Sequence, residues 1–211
     1  MDVDVSKMFE NKNKEIFKNS LALEMERNLE ALKNTTDNCV ALEINKLMIF
    51  FKSYFKEINV EYKKEELLGI LYRERKNIND IVNTKIEEKK ERIKNNFLLK
   101  EEEGILSNEY LNNYYDELQK ETELINDEID TELKKEICTN FSPRIIEKYN
   151  LETVDQAERI YSRINILFRN NIINKIQEQT RFRDESLKNM SIESYKKYQS
   201  LNESTIENNN N

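Results

Sequence analysis

The near-absence of glycine and proline constrains this fold more than any other feature of the sequence. The 211 residues include two glycines and one proline. Sheet proteins with many tight turns depend on these residues, whereas long helices need almost none. The hydrophobic fraction is 37% and the charged fraction is 36%, a balance typical of long, partly solvated helices. We therefore predict an all-α protein, an elongated antiparallel helical bundle.

Apolar residues recur at spacings of three and four near the start of the chain, which predicts a helix over about residues 6–33. The members of this stripe are Phe17, Leu21, Met25, Leu29 and Leu32. The next residues, 34–37, are all cap-forming types, so we predict a break there. A second helix is then expected over about residues 38–58.

The second helix carries the most regular apolar seam of the chain. Its a and d positions are Val40, Ile44, Leu47, Phe51, Tyr54 and Ile58. Phe50 and Phe55 widen the seam into a broad face, which we expect to be buried in the core. The alternative is an exposed aromatic groove for a partner helix or a lipid surface, and Lys46, Lys52 and Lys56 would suit the lipid surface.

A long helical hairpin is predicted next, with helices over about residues 62–100 and 107–140 and a reversal near Gly104. The numbers of facing residues should then sum to about 208. The first of these helices is rich in basic residues and the second in acidic residues. A basic helix that lies along an acidic one favours this pairing.

The distal part of this hairpin has a thin apolar seam. Between residues 83 and 96 the only apolar residues are Ile86 and Ile93. A seam this narrow holds two helices but does not fill a multi-helix core. We therefore predict that residues 83–122 project as a coiled-coil hairpin. The candidate partner contacts near its tip are Phe97, Leu111, Tyr114 and Tyr115.

Two local patterns predict helix starts in the last third of the chain. Ser142 followed by Pro143 is typical of an N-cap and a first helical position, and predicts a short helix ending near residue 150. Thr153 and Gln156 have the spacing of a capping box, which opens a last long helix to about Asn189.

The length suits one domain. We predict a single bundle over residues 1–203 and a disordered, asparagine-rich tail over 204–211.

The net charge, the cysteines and the apolar runs indicate which ligands and which cellular location to expect. The net charge of −7 disfavours non-specific attraction to nucleic acid or anionic lipid. Cys39 and Cys138 match no CxxC motif, which predicts neither a disulfide framework nor a zinc site and favours a reducing, cytoplasmic location. Residues 1–4 are acidic and lead into no apolar segment, so no signal peptide is expected. The longest apolar run, residues 47–51, is too short to cross a bilayer.

The absence of histidine excludes histidine-based catalysis and histidine-containing metal sites. Two isolated glycines cannot form a phosphate-binding loop. We predict no catalytic residue, cofactor or metal. One enzyme hypothesis is a magnesium-dependent nucleotide hydrolase, because Glu88 with Glu91 and Glu152 with Asp155 place paired carboxylates on helix faces. Such pairs also arise by chance in a chain with 41 acidic residues.

The last long helix carries a basic stripe. Its candidate nucleic-acid contacts are Arg159, Arg163, Arg169, Arg181 and Arg183. Tyr161, Phe168 and Phe182 would be available to stack on bases. The alternative is that the acidic neighbouring helix neutralises these arginines.

The leading functional hypothesis is a non-enzymatic interaction or assembly protein, a scaffold or adaptor that binds protein partners or a second copy of itself through coiled-coil contacts. The alternative is a nucleic-acid-associated accessory protein that uses the basic stripe.

Overall fold

A computed structural model of the chain describes residues 2–95 and 108–209. These residues are helical apart from short connections, and they contain no strand. Four long helices pack against one another, which confirms the predicted all-α fold.

The described residues form six α-helices and two π-helical segments that join α-helices. The α-helices are α1 (Asp2–Glu57), α2 (Lys64–Ile93), α3 (Asn108–Glu136), α4 (Ser142–Lys148), α5 (Val154–Tyr161) and α6 (Asn170–Asn209). The first π segment, Ile137–Phe141, joins α3 to α4, and the second, Ser162–Arg169, joins α5 to α6. Residues 94 and 95 continue α2 in π-helical geometry. Since α6 reaches Asn209, most of the predicted tail is helical, and residues 210 and 211 lie outside the described part.

The contacts divide the chain into two compact units, whereas the sequence predicts a single bundle. The first unit comprises Met1–Ala31, Lys89–Thr122 and Arg181–Asn211. The second unit comprises Leu32–Glu88 and Glu123–Thr180.

Aromatic contacts tie α1 to α6 in the first unit. The centroid of the Phe17 ring lies 6.2 Å from that of Tyr195 and 6.3 Å from that of Tyr198. Among the described residues of this unit, the other buried apolar ones are Leu21, Met25, Leu29, Ile93, Leu118 and Leu187. The predicted stripe on the first helix is therefore a core face, and each such side chain contributes about 1.5–3 kcal/mol by burial.

The core of the second unit is aromatic. Its largest fully buried side chains include Phe51, Phe55, Phe141 and Phe168, and the ring centroids of Phe55 and Tyr149 lie 4.7 Å apart. The predicted seam is buried from Val40 to Tyr54, which confirms that this face belongs to the core.

The break predicted over residues 34–37 does not exist, because α1 runs through it as one helix of 56 residues. The Thr36 hydroxyl donates to the carbonyl oxygen of Leu32 at 2.8 Å, and this side chain is buried. The carboxylate of Asp37 accepts from the guanidinium of Arg75 at 2.9 and 3.0 Å. Both side chains thus form hydrogen bonds with groups other than free backbone N–H groups, so neither caps a helix here and α1 continues.

Polar pairs fix the register of α2 against α3. The pairs are Asn77 with Glu136, Lys85 with Glu128, and Arg92 with Glu121, at 3.3, 3.2 and 3.5 Å. The residue numbers of each pair sum to 213, so the antiparallel pairing is as predicted but shifted by five from a reversal at Gly104. Gly104 itself lies outside the described residues. Two of the pairs join a basic residue of α2 to an acidic residue of α3, as the charge pattern predicts.

The described residues of the distal hairpin have more partners than its thin seam predicts. The contacts are Lys89 with Asp184 at 3.0 Å, Lys90 with Glu26 at 3.4 Å, and the Tyr115 hydroxyl with the carbonyl oxygen of Lys188 at 3.0 Å. Within the first unit this part of the hairpin therefore packs against α1 and α6, which differs from the expectation that it projects alone. Apolar periodicity does not detect such polar contacts.

Ser142 does not cap a new helix as predicted. Phe141, which precedes α4, has helical dihedral angles, and the Ser142 hydroxyl oxygen is buried without a hydrogen-bond partner in the described residues. The chain enters α4 directly from the first π segment, and Pro143, which has no backbone N–H, lies in the first turn of α4. The predicted end of this short helix is correct, since α4 stops at Lys148 and Asn150 has a φ of 51°.

The capping box at the start of α5 is confirmed. The Thr153 hydroxyl oxygen accepts from the backbone N–H of Gln156 at 3.2 Å, and the Gln156 side chain accepts from the backbone N–H of Thr153 at 3.3 Å. Two backbone donors that the helix cannot satisfy internally are thereby paired.

We expect Thr153→Ala to lower the free energy of unfolding by about 1 kcal/mol, because it removes one of these two hydrogen bonds. Chemical unfolding followed by circular dichroism measures this loss. Thr153→Ser keeps the acceptor oxygen and serves as the control. Equal losses in the two variants would show that the cap contributes nothing.

Candidate protein-docking groove

An open groove runs between α1 and the helical segment formed by α5 and the second π segment, within the second unit. Its cavity volume is about 500 Å³. The lining residues are Lys46, Ile49, Phe50 and Ser53 from α1 and Arg159, Ser162, Arg163 and Leu167 from the opposite wall. We call this surface the α1–α5 groove. On both walls the lining residues recur at spacings of three or four, which is the spacing of one helix face.

Large aliphatic side chains of the α1–α5 groove face solvent. Ile49 is 70% exposed and Leu167 is 43% exposed. Beside Leu167, Ile166 is 56% exposed. Single exposed aliphatic residues are ordinary on protein surfaces, and here one stands on each wall of the same groove.

Arg159 is held at one end of the groove by two partners. Its guanidinium carbon lies 4.7 Å from the centroid of the Tyr54 ring. Its nitrogens also donate to the two carboxylate oxygens of Glu57 at 2.8 and 3.2 Å. Both members of this ion pair are about half exposed, so the pair orients the arginine while stabilising the fold little.

Arg163 lies in the middle of the groove and differs from Arg159 in its charge environment. Its guanidinium carbon lies 5.4 Å from the centroid of the Phe50 ring. Among the described residues no carboxylate pairs with it. The second π segment carries Arg163, and π turns occur frequently at functional sites. The groove therefore presents a cation whose hydrogen-bond donors are not matched by an anion of the described chain.

A second, smaller cavity of about 240 Å³ extends the groove along α1. It shares Lys46, Arg163 and Leu167 with the first cavity. Here the buried carboxylate of Glu43 accepts from Lys46 at 2.6 Å and from Asn171 at 3.1 Å. Because Glu43 already has two partners, it anchors the wall of the groove.

The predicted basic stripe divides between the two units. Arg159 and Arg163 line the groove, whereas Arg169 lies outside the lining and pairs with Asp130 of α3 at 3.2 Å. This last contact is the neutralisation by an acidic neighbour that the sequence offered as an alternative. Phe168, named for base stacking, is buried in the core.

Arg181 and Arg183 belong to the first unit. Arg181 is exposed, and the guanidinium carbon of Arg183 lies 5.5 Å from the centroid of the Phe182 ring. Phe182 is exposed, while Tyr161 of the second unit is half-buried. The five predicted arginines thus do not gather at one site within either unit.

The predicted partner contacts at the hairpin tip are only partly described. Phe97 lies outside the described residues, and the side chains of Leu111 and Tyr114 are likewise outside the described part. Tyr115 is half-buried, and the amine of Lys188 lies 5.5 Å from the centroid of its ring. Tyr115 therefore contacts α6 of its own chain.

The acidic pairs of the magnesium hypothesis do not form a metal cluster. Glu88 pairs with Lys85 at 2.9 Å, and Glu91, Glu152 and Asp155 are exposed. The described part of the chain contains no group of three or more candidate ligands that could hold a metal ion.

Comparisons of the chain with protein-family models, with curated proteins and with solved structures find no match. None of the described helices combines the length and the apolar character that crossing a bilayer requires. The function of the groove is therefore inferred from the residues that line it.

A buried carboxyl group lies elsewhere in the second unit. Glu74 of α2 is 0% exposed, and neither of its carboxylate oxygens has a hydrogen-bond partner among the described residues. Burial, and then the nearby charge of Glu136, raise the pKa of Glu74 to about 8. The positive charge of Arg144 and, after it, the amide of Asn77 lower the pKa of Glu74. In the structure the Asn77 amide donates to Glu136 at 3.3 Å. Glu74 is therefore largely protonated in the folded protein at pH 7.

A buried lysine links three helices of the first unit. Lys89 of α2 is 3% exposed, and its amine donates to Asp184 of α6 at 3.0 Å. Asp184 also accepts from the hydroxyl of Thr122 in α3. Burial lowers the pKa of Lys89, while the charges of Asp184 and Glu121 act in the opposite direction. Because these side chains satisfy one another between three helices, we interpret this cluster as part of the packing.

Sequence reasoning missed several groove residues. The sequence patterns single out none of Ile49, Ser53, Ser162 and Leu167 as contact residues. The signal that identifies Ile49 is its position in an apolar run but off the a/d seam, where a helical residue faces away from the core. The seam itself is buried, and the groove lies beside it, where Phe50 is half-buried and Ile49 is exposed.

Proposed function

We propose that this chain is a non-enzymatic interaction protein that docks a protein partner in the α1–α5 groove. The observation that carries this proposal is the exposure of Ile49 and Leu167 on opposite walls beside the unmatched cation of Arg163. Helix-in-groove recognition uses apolar anchors of this kind with charged groups at the rim. The groove replaces the hairpin tip as the proposed contact surface, since Tyr115 contacts its own chain.

Two features support a protein partner over nucleic acid. The chain carries a net charge of −7. Arg159 and Arg169 are already paired with carboxylates of the chain. Polyanion binding depends on several unpaired cations that together release counterions, and long-range repulsion by an acidic chain opposes it. The scaffold or adaptor role, self-association and the cytoplasmic location stay predictions.

We expect a photo-crosslinking residue at Ser53 to capture a discrete protein from the native host extract. The capture should be lost when Ile49→Asp is added, because a charge in the groove disrupts apolar docking. Ile49 is largely exposed, so this change leaves the fold intact. Electrophoresis with mass spectrometry identifies the product.

The control places the same crosslinker at Leu124, an exposed position outside the lining. One product at both positions, or a product at Ser53 that survives Ile49→Asp, would contradict the proposal. A nuclease-sensitive product would favour the nucleic-acid alternative.

A further inference from the structure

The geometry of the α1–α5 groove, taken with the function proposed above, points to a specific kind of occupant. We infer that the partner element is a single amphipathic α-helix that places a carboxylate on Arg163 and packs aliphatic side chains against Ile49 and Leu167. This inference rests on the proposed function and adds the chemistry of the partner.

The spacing of the lining residues favours a helical occupant. On α1 the lining positions are 46, 49, 50 and 53, and on the opposite wall they are 159, 162, 163 and 167. The α1 wall is thus an α-helical face with ridges three and four residues apart, and the opposite wall is also a helix face, π-helical from Ser162 onward. A third helix places its own ridges between such ridges, which is the usual way in which helices pack. Ser53 and Ser162 are small, so they leave room for the backbone of that helix at one end of the groove.

The charges of the groove favour carboxylates on the occupant. The first cavity is lined by three cations, Lys46, Arg159 and Arg163, and by no acidic residue. Two of these cations have carboxylate partners from outside that lining, Glu43 for Lys46 and Glu57 for Arg159. Arg163 has only the ring of Phe50 at its face. Stacking on a ring leaves the in-plane N–H groups of a guanidinium available for a bidentate carboxylate.

The acidity of the whole chain limits how acidic the occupant can be. A strongly polyanionic partner is repelled by a net charge of −7 before it reaches the groove. A helix with a few carboxylates meets less of this repulsion, because the repulsion grows with the number of charges on the partner, and at physiological salt its carboxylates respond mainly to cations within about 8 Å. The structure therefore favours an acidic amphipathic peptide segment over RNA or DNA.

The test uses two synthetic helical peptides as probes. Each has three heptads with leucine at positions a and d, and a hydrocarbon staple on the outer face keeps it helical. One carries glutamate at positions e and g, and the other carries lysine there. Fluorescence anisotropy measures affinity for the full chain, and methyl NMR of the isoleucine and leucine residues locates the binding site.

We expect the glutamate peptide to bind at least about tenfold more tightly than the lysine peptide and to shift the methyl signals of Ile49 and Leu167. Arg163→Glu should remove this preference, and Arg163→Lys should keep part of it because the charge remains. Arg181→Glu is the matched control, since Arg181 is exposed and outside the groove. Circular dichroism checks that each variant retains its helix content.

The inference is overturned if the two peptides bind equally, if neither binds, or if the shifted signals lie outside the groove. Displacement of the glutamate peptide by a single-stranded RNA with an affinity sensitive to Arg163 would also overturn it in favour of a nucleic-acid partner. If the peptides fail while the crosslink at Ser53 remains sensitive to Ile49→Asp, the docking function stands and only the acidic-helix inference is lost.

Discussion

Glu74→Gln is expected to make the protein more stable at pH 8 and to change its stability little near pH 4.5. The pKa of Glu74 is about 8 in the folded protein and near 4.5 when the chain is unfolded. Between these values the folded state holds a proton that the unfolded state has released, so stability falls as pH rises through this window. One proton accounts for up to about 1.4 kcal/mol per pH unit. Glutamine cannot ionise, so we expect the variant to gain about 2–4 kcal/mol at pH 8.

Urea unfolding followed by circular dichroism from pH 4.5 to pH 9 measures this gain. The matched control is Glu43→Gln, a second buried glutamate whose carboxylate has partners in Lys46 and Asn171. This control should lose about 1 kcal/mol at pH 8, since the hydrogen bonds to its charge are weakened. A Glu74→Gln protein that is less stable than the parent at pH 8 would show that the ionised carboxylate has partners in solution.

Asp184→Asn is expected to cost about 3 kcal/mol of stability at pH 7. The change keeps the shape of the side chain but leaves the charge of Lys89 buried without its carboxylate, and a buried charge that loses its partner is strongly destabilising. Burial already lowers the pKa of Lys89. In the variant this pKa falls further, so the lost stability should be partly regained as pH rises toward 10, where the folded protein sheds the proton before the unfolded chain does.

A double-mutant cycle with Lys89→Met identifies the cause. We expect Lys89→Met, combined with Asp184→Asn, to recover most of the stability that Asp184→Asn loses, because methionine fills the buried space without a charge. Asp37→Asn serves as the control, since its pair with Arg75 is part-exposed and should contribute about 1 kcal/mol or less. Equal effects of Asp37→Asn and Asp184→Asn would contradict a special role for burial.

Helix content and core faces could be predicted from the sequence because they follow from periodicity and composition. The stripe that includes Phe17 and Leu21 and the seam that includes Leu47 and Phe51 are buried as predicted. Helix boundaries were predicted less well. Thr36 and Asp37 have the chemistry of caps, yet their side chains find partners on the preceding turn and on α2. Only tertiary contacts decide between these two uses of one side chain.

The packing of the distal hairpin could not be predicted from its apolar residues. From its residue type alone, Lys89 is expected to face solvent, but in the structure it is buried against Asp184. The two residues are 95 positions apart, and no local pattern connects them. The offset of α2 against α3 likewise depends on where the chain reverses, which a single glycine does not fix.

The candidate groove was only partly accessible to sequence reasoning. The sequence indicates Arg159 and Arg163 by their charge, Phe50 by its place on a broad apolar face, and Lys46 as a lysine near that face. The sequence alone does not show which helices lie opposite each other. It therefore does not show that these four residues share one groove. Arg169 has the same residue type and a similar spacing, but a carboxylate of α3 engages it.

The first unit is built from segments that lie far apart in the chain, and this has a consequence for biosynthesis. Its α1 segment packs with Tyr195 and Tyr198, which are translated long after Phe17. At about 5–20 residues per second, the stripe around Phe17 waits roughly 10–40 s on the ribosome for these partners. The second unit ends at Thr180 and has all of its residues earlier. The nascent chain thus carries an incompletely covered amphipathic helix during most of its synthesis, and we expect holdase chaperones to bind that helix first.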